Sequence, residues 1–385
     1  MPGSRPFIPV ARPWMGEPET EAAGRAIRSG WVTQGPEVEA FEREFAAYVG
    51  TRHACAVSSC TAALHLALLA VGVGPGDAVV TASHSFIATA NAIRYCGAVP
   101  VFVDVEPGGF NMDPAAVEHA LERRTRAILC VHQLGMPCDL GAIVGVARRH
   151  GLPVVEDAAC AVGSELLWAG RWERIGRPHG AVACFSFHPR KLLSTGDGGM
   201  VTTHDPATDA RVRLLRHHGM SVPDTARHAA RRVVVESYPV LGFNYRLTDI
   251  QAAVGRVQLA RLPEVLERRR HLAARYAKSL AEVPGLAVPR EPAWASSNWQ
   301  SYCVRLPEGC DQRAVMQFML DRGVATRPGV MCAHREPVYR DASRWTLPES
   351  ERAQDRGLVL PLYHELTEED QDRVVEVLRA ACRAV

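Results

Sequence analysis

The stretch FSFHPRKLLSTGDGGMVTTH, residues 185–204, sets an apolar run, a lone lysine and a glycine-rich turn ahead of a second apolar run. Two strand-length segments joined this closely place Lys191 just beyond a strand end. Lysine is rare in this chain. The 44 Lys and Arg residues include only Lys191 and Lys278. Arginine neither loses its proton near neutral pH nor forms a Schiff base, so chemistry that needs an amine nucleophile has two candidates. Lys278 lies in RRRHLAARYAKSLAEV, where apolar residues recur at helical spacing among charges, and reads as part of a solvated helix face.

Outward from this stretch, residues 37–205 alternate helical periodicity with short apolar runs. Candidate strands are AVVTAS, VPVFVDV, RAILCVHQ, LPVVEDA, VACFSF and GMVTTH, and the helices between them include DPAAVEHALERR and LGAIVGVARRH. Near-continuous apolar strands separated by helices predict an α/β fold with a largely parallel sheet covered on both faces. Ligands in such sheets sit beyond the carboxyl ends of the strands. Past GFNYRLTDIQAAVGRVQLARL the pattern changes. Thr248 and Gln251 form a capping box, followed by a long arginine-rich helix, proline-rich segments, the strand SYCVRLP and the helix DQRAVMQFMLDRG. The expected organisation is an arm over 1–30 packing with a small α+β C-terminal domain at 260–385, and a large domain at 31–259.

The 385 residues carry a formal charge of +2, with scattered arginines, which argues against a nucleic-acid partner. The longest apolar stretch, TAALHLALLAVGVG, is too short to span a bilayer, and the N-terminus lacks a secretory apolar core. No membrane association and a cytoplasmic location are expected. The 11 cysteines are dispersed, form no CxxC pair and read as reduced, buried hydrophobes; no metal site is expected.

Three further features sit at strand ends or helix starts. VVEDAACA ends a strand with Glu156 and Asp157. A buried Asp157 needs a cation, such as a protonated pyridine nitrogen, unless it merely caps the next helix. AVSSCTAALHLAL runs from a strand through Ser58, Ser59, Cys60 and Thr61 into a helix, whose free N–H groups suit a phosphate; Ser186 adds a hydroxyl. Phe86, just past a strand, is placed either to lie flat on a planar ring or to pack in the core. Amine, carboxylate, aromatic and phosphate cradle together are the set that pyridoxal 5'-phosphate requires.

The blocks SSCTAALHLAL, SFIATANAI, VHQLGMPCDL, VVEDAACAVGSE, FSFHPRKLLSTGDGGMVTT and GFNYRLTDIQAAVGRVQLARL resemble, in order and spacing, the DegT/DnrJ/EryC1/StrS family of aminotransferases. The resemblance implies a fold-type I, aspartate aminotransferase-like homodimer that shares its active sites and carries pyridoxal phosphate. By it, Lys191 is the Schiff-base lysine, Asp157 faces the pyridine nitrogen and Phe86 stacks on the ring. Cys60, Thr61 and Ser186 match the phosphate positions, and Asn244 in FNYR reaches the phosphate from the neighbouring subunit. Cys60 stands where glycine is common, and Cys160 where Gln or His is usual for a cofactor contact.

The implied reaction moves an amino group from L-glutamate to a keto group of a sugar, foremost a nucleotide-diphosphate-linked keto-deoxysugar; a keto-cyclitol is the alternative acceptor. Burial and nearby cations such as Arg190 are expected to lower the Lys191 pKa. A branch that dehydrates sugars has histidine in the lysine's place; His188 lies nearby, but lysine occupies the motif position. The segment ATRPGVMCAHREPVYRD is similar to the family's substrate loop, so Arg327, His334 and Tyr339, with His188, are candidate substrate contacts, against the reading of a solvated basic loop. A regulatory protein would need a helix-turn-helix or basic stripe, and neither is present.

Overall fold

The computed structural model describes residues 6–222, 227, 230–340 and 345–385. The strands of the first half are β1 (His53–Val57), β2 (Ala78–Ala82), β3 (Val99–Val103), β4 (Thr125–Val131), β5 (Val154–Asp157), β6 (Glu165–Trp168), β7 (Arg171–Arg174), β8 (Val182–Ser186) and β9 (Gly199–Thr203). Seven of them form one sheet in the order β1-β9-β8-β5-β4-β2-β3. All run in one direction except β9, which pairs antiparallel with β1 and β8. The mostly parallel, doubly covered sheet read from the apolar runs is therefore present.

Side-chain alternation divides the sheet's two faces. Val80, Ile128, Ala183 and Phe185 pack with Phe41 and Phe45 of α2 (Pro36–Val49) and with Ile143 of α6, which spans Leu140–Arg149. Val79, Leu129, Val155 and Val182 face the opposite way, against Leu64 and Leu68 of α3 (Cys60–Ala70), Ile93 of α4 (Ile87–Tyr95) and Leu215 of α7 (Pro206–Arg216). The neighbouring helices are α1 (Glu17–Ser29) and α5 (Pro114–His119).

A second core gathers Tyr276, Tyr302, Val304, Val315, Met319, Leu358, Leu360, Val374 and Leu378. It is built on α8 (Asp249–Leu280), β11 (Tyr302–Arg305), α9 (Gln312–Leu320), β13 (Gly357–Leu360) and α11 (Glu368–Ala384); β10 (Ala295–Ser296), β12 (Arg327–Pro328) and α10 (Pro348–Arg356) complete the elements. Ile8 belongs to this core, and its backbone bridges Val324.

The Thr248–Gln251 capping box opens α8 as read from the sequence. The sequence pattern suggests two consecutive helices here. Instead a single 32-residue helix runs through Pro263 and past residue 260, so both cores share it. Proline inside a helix costs about 3 kcal/mol. Leu259, Leu262, Val265 and Leu266, buried around it, offset that cost. The hairpin β6–β7 has no counterpart among the candidate strands; its two-residue turn puts Ala169 at φ 48° and Gly170 at φ 81°. No helix among the described residues is long and apolar enough to cross a membrane.

Candidate active site

The carboxyl ends of β1, β2, β4, β5 and β8 open toward one edge of the sheet, and Cys60, Phe86, Asp157, Ser186 and Lys191 end or follow these strands there. Phe185 and Phe187 anchor β8 against Phe41 and Phe45, with ring centroids 5.1 to 5.7 Å apart. The chain then turns tightly. Lys191 N–H donates to the His188 carbonyl (2.8 Å), and Phe187 exchanges backbone hydrogen bonds with Gly198 and Thr195 at 2.9 Å. This loop carries the Lys191 amine back to Cys160, with Nζ 2.9 Å from the Cys160 Sγ.

Asp157 ends β5 and is buried. Its Oδ2 accepts from Thr89 Oγ1 (2.8 Å), which is itself linked to Ser85 (2.7 Å), and its Oδ1 accepts from the Ala159 N–H (3.1 Å). The Ala159 bond is local, as the capping alternative supposed, but the carboxylate also faces Lys191. Burial pushes the Asp157 carboxyl up, and the Thr89 and Ala159 hydrogen bonds and the Lys191 charge do not cancel it. Within the chain, then, the acid lacks enough positive charge to offset its burial.

Burial also pushes the Lys191 amine down, as expected, but the Cys160 sulfur, then Cys60 and Asp157, outweigh it and hold the amine above its ordinary range. The expected net lowering is absent because the Cys160 contact and the Asp157 carboxylate outweigh the burial of the amine.

The phosphate cradle is set by a close approach of backbones. Ser59 caps α3, accepting from the Ala62 N–H (3.1 Å), and leaves the first-turn N–H groups at Cys60 and Thr61 without helical partners. Gly199 crosses directly over this start. A Cβ there would lie 2.6 Å from the Ser59 carbonyl carbon and 2.8 Å from the Cys60 nitrogen. Ser186 Oγ lies behind, accepting from the His188 N–H (3.4 Å). Phe86 is 62% exposed, which overturns the core-packing alternative and leaves a ring free at the strand edge. These residues fit pyridoxal phosphate: an amine for its aldehyde, a cation-deficient buried acid for its ring nitrogen, helical N–H groups for its phosphate and a free ring for its face. Asn244, exposed on this chain, sits at a backbone bridge to His217.

The substrate candidates divide. His188 borders the lysine; Arg190 N–H donates to its Nδ1 (3.2 Å), which leaves the ring proton on Nε2. Burial, then the Arg190 charge, lowers its pKa, so it is a neutral donor at pH 7. Arg327 lies exposed on β12, and its charge follows burial in lowering the Arg190 pKa. Among the described residues neither guanidinium has a side-chain hydrogen bond or ion pair. His334 and Tyr339 are held by other partners. His334 Nδ1 meets Ser83 Oγ at 2.6 Å and Nε2 meets Glu351 at 3.2 Å, while the Tyr339 hydroxyl donates to Asn91 Oδ1 (2.6 Å). Sequence reading missed Thr89, whose link to Asp157 spans 68 positions, and also His132, paired with Glu156 at 3.2 Å beneath the strand ends.

A half-buried lysine beyond β8, facing the acid that ends β5 in this sheet order, defines a fold-type I, pyridoxal phosphate-dependent aminotransferase. The chain belongs to the DegT/DnrJ/EryC1/StrS aminotransferase family, whose model matches residues 13–379. It is 37% identical over 380 residues to the spore coat polysaccharide biosynthesis protein SpsC of Bacillus subtilis strain 168, covering 97% of this chain and 96% of that one. Among solved structures it is similar to the aminotransferase TlmJ of Streptoalloteichus hindustanus, with 38% identity, a TM-score of 0.90 and coverage of 98% and 99%. It is also similar to DesI, solved in the presence of its TDP-sugar product, with 33% identity, a TM-score of 0.86 and coverage of 99% and 94%.

Proposed function

We propose that this aminotransferase takes an amino group from L-glutamate and delivers it to the keto group of a nucleotide-diphosphate-linked keto-deoxysugar. The observation that carries the acceptor class is the pair of guanidiniums, Arg190 and Arg327, left without carboxylate partners beside the lysine loop. Unpaired arginines at a site mouth suit a diphosphate. The polysaccharide role named for SpsC and the TDP-sugar product named for DesI support the same acceptor.

When bound, the cofactor supplies an electron-withdrawing ring that stabilises charge at the amine-bearing carbon. Lys191 would hold it covalently, and its free amine would carry the proton to and from the amine-bearing carbon. Asp157, disfavoured as a buried anion, would gain the cation it lacks and would keep the ring nitrogen protonated. The first-turn N–H groups at Cys60 and Thr61, with Ser186, hold the phosphate. Phe86 would cover one ring face, and Cys160 would stay near the amine. His188 offers its Nε2 proton to a substrate oxygen.

The reading includes a homodimer in which Asn244 of one subunit completes the site of the other, supported by its exposure here. It also includes the division into an arm over 1–30, a large domain at 31–259 and a small domain at 260–385. A cytoplasmic location belongs to the same proposal and is supported by the eleven free thiols. Incubating the purified protein with glutamate and a panel of keto-sugar nucleotides and keto-cyclitols, while following 2-oxoglutarate release, tests it. Turnover with a keto-sugar nucleotide is expected; turnover only with cyclitols, or with none of the panel, overturns the acceptor.

A further inference from the structure

The Lys191–Cys160 contact joins two loops that do not hydrogen-bond to each other through their backbones. Both are gripped by one turn, Ser297–Ser301, that precedes β11. Asn298 Nδ2 donates to the carbonyls of Cys160 and Val162, each at 2.8 Å, and Asn298 N–H donates to Ser164 Oγ (3.0 Å). Two residues on, Gln300 Nε2 donates to the Arg190 carbonyl at 2.5 Å. That carbonyl belongs to the peptide bond leading into Lys191. The same five-residue turn thus fixes the backbone on both sides of the 2.9 Å amine–thiol contact.

The turn is itself over-determined. Asn298 Oδ1 accepts from the Gln300 N–H (2.8 Å), and Ser297 Oγ accepts from the Trp299 N–H (2.9 Å). Trp299 sits at φ 51°, a left-handed conformation that a bulky residue rarely adopts unless its surroundings impose it. Arg269, buried in α8, supplies that constraint by donating from Nη1 to the Trp299 and Gln300 carbonyls at 2.9 and 3.2 Å. On the other side a Cβ on Gly135 (φ 95°) would stand 2.0 Å from Asn298 Oδ1, so only glycine admits the turn there. Ser301 N–H donates to the Leu134 carbonyl (3.2 Å) and closes the contact.

We infer that Asn298 and Gln300 are positioning residues for the catalytic lysine, set by Arg269. Their side chains act on the backbone carbonyls of Cys160, Val162 and Arg190, and so fix where the Lys191 amine stands. The inference rests on the reading of Lys191 as the cofactor lysine and proton carrier. Proton transfer is sensitive to placement: an error of about 1 Å costs about 10²-fold. Substrate binding, which depends on other groups, is not expected to move with it.

Gln300→Met keeps the side chain's length and removes only the donation to Arg190. Asn298→Leu keeps a similar size, adds no charge, and removes the donations to Cys160 and Val162 together with the acceptor for the Gln300 N–H. In the cofactor-loaded enzyme, each is expected to lower kcat about 10- to 100-fold with KM for the amino donor changed less than about threefold. Each should also shift the pH midpoint of the bound cofactor's visible absorbance by about half a unit or more, because the charges around the amine move. That midpoint is read without turnover, and a merely structural role would leave it in place. Wild-type kcat and an unchanged midpoint in the folded fraction of both variants overturn the inference, even if their Tm falls. If the wild type shows no absorbance change with an amino donor, the underlying reading fails and the inference with it.

Discussion

Glu42 and Asp157 are both buried acids of the large-sheet region, and their surroundings are opposite. Glu42 accepts from Arg216 (2.5 Å), Arg213 (2.6 Å) and the Ala56 N–H (2.8 Å). Burial pushes its carboxyl up, but the two guanidiniums more than reverse this, and its pKa falls below the usual range. Asp157 has a hydroxyl, one N–H, a lysine already engaged with a thiol and the attraction of His132, and its pKa still rises. Glu42 pins α2, β1 and α7 together, and the chain itself supplies every partner. At Asp157 the chain stops short, and the missing positive charge is what a protonated cofactor ring brings. A buried acid that its own fold leaves under-paired thus marks a ligand site better than burial alone does.

The contrast can be broken at three residues. The largest effect is expected for Lys191→Ala, which removes both the attachment point and the proton carrier and should lower kcat by about 10⁴-fold, measured as 2-oxoglutarate release in a single-turnover assay. Next is Glu42→Ala, which leaves Arg216 buried without its partner. It should cost about 3–5 kcal/mol in urea unfolding whether or not the cofactor is bound. Asp157→Asn should lower kcat/KM by about 10²-fold through a weakened electron sink, yet raise the Tm of the cofactor-free protein at pH 7.

The sign of that last change follows from linkage. A carboxyl whose folded pKa is raised costs stability as pH climbs through it, whereas one whose folded pKa is depressed adds stability that is lost as pH falls. The gain from Asp157→Asn should therefore fade as pH falls below about 4, where the acid becomes protonated in both states. Glu42 should instead contribute at neutral pH and lose its contribution in acid, seen as a steeper fall of Tm below about pH 4 in the wild type than in the Glu42→Ala variant.

Much of the site was legible because rare residue types stood at strand ends. Lys191 stood out as one of two lysines, and Asp157 and Phe86 by their position after apolar runs. The parallel sheet was readable because its strands, buried on both faces, are continuous apolar segments. The fold obscured other parts. Thr89 reaches Asp157 only because β2, β4 and β5 are adjacent, an order that local patterning does not encode. Asn298 and Gln300 act on backbone carbonyls, which carry no side-chain signature. For His334 and Tyr339, residue type conveys polarity but not direction, and tertiary partners at Ser83, Glu351 and Asn91 take up their hydrogen bonds. Pro263 disfavours a continuous helix, but apolar burial on both sides of it outweighs the lost backbone bond.

The most direct test is chemical. Borohydride reduction of the cofactor-loaded protein, followed by peptide mapping, should place the pyridoxyl group on Lys191 and nowhere else. A label on Lys278, or none on the peptide containing residue 191, would contradict the assignment of the site.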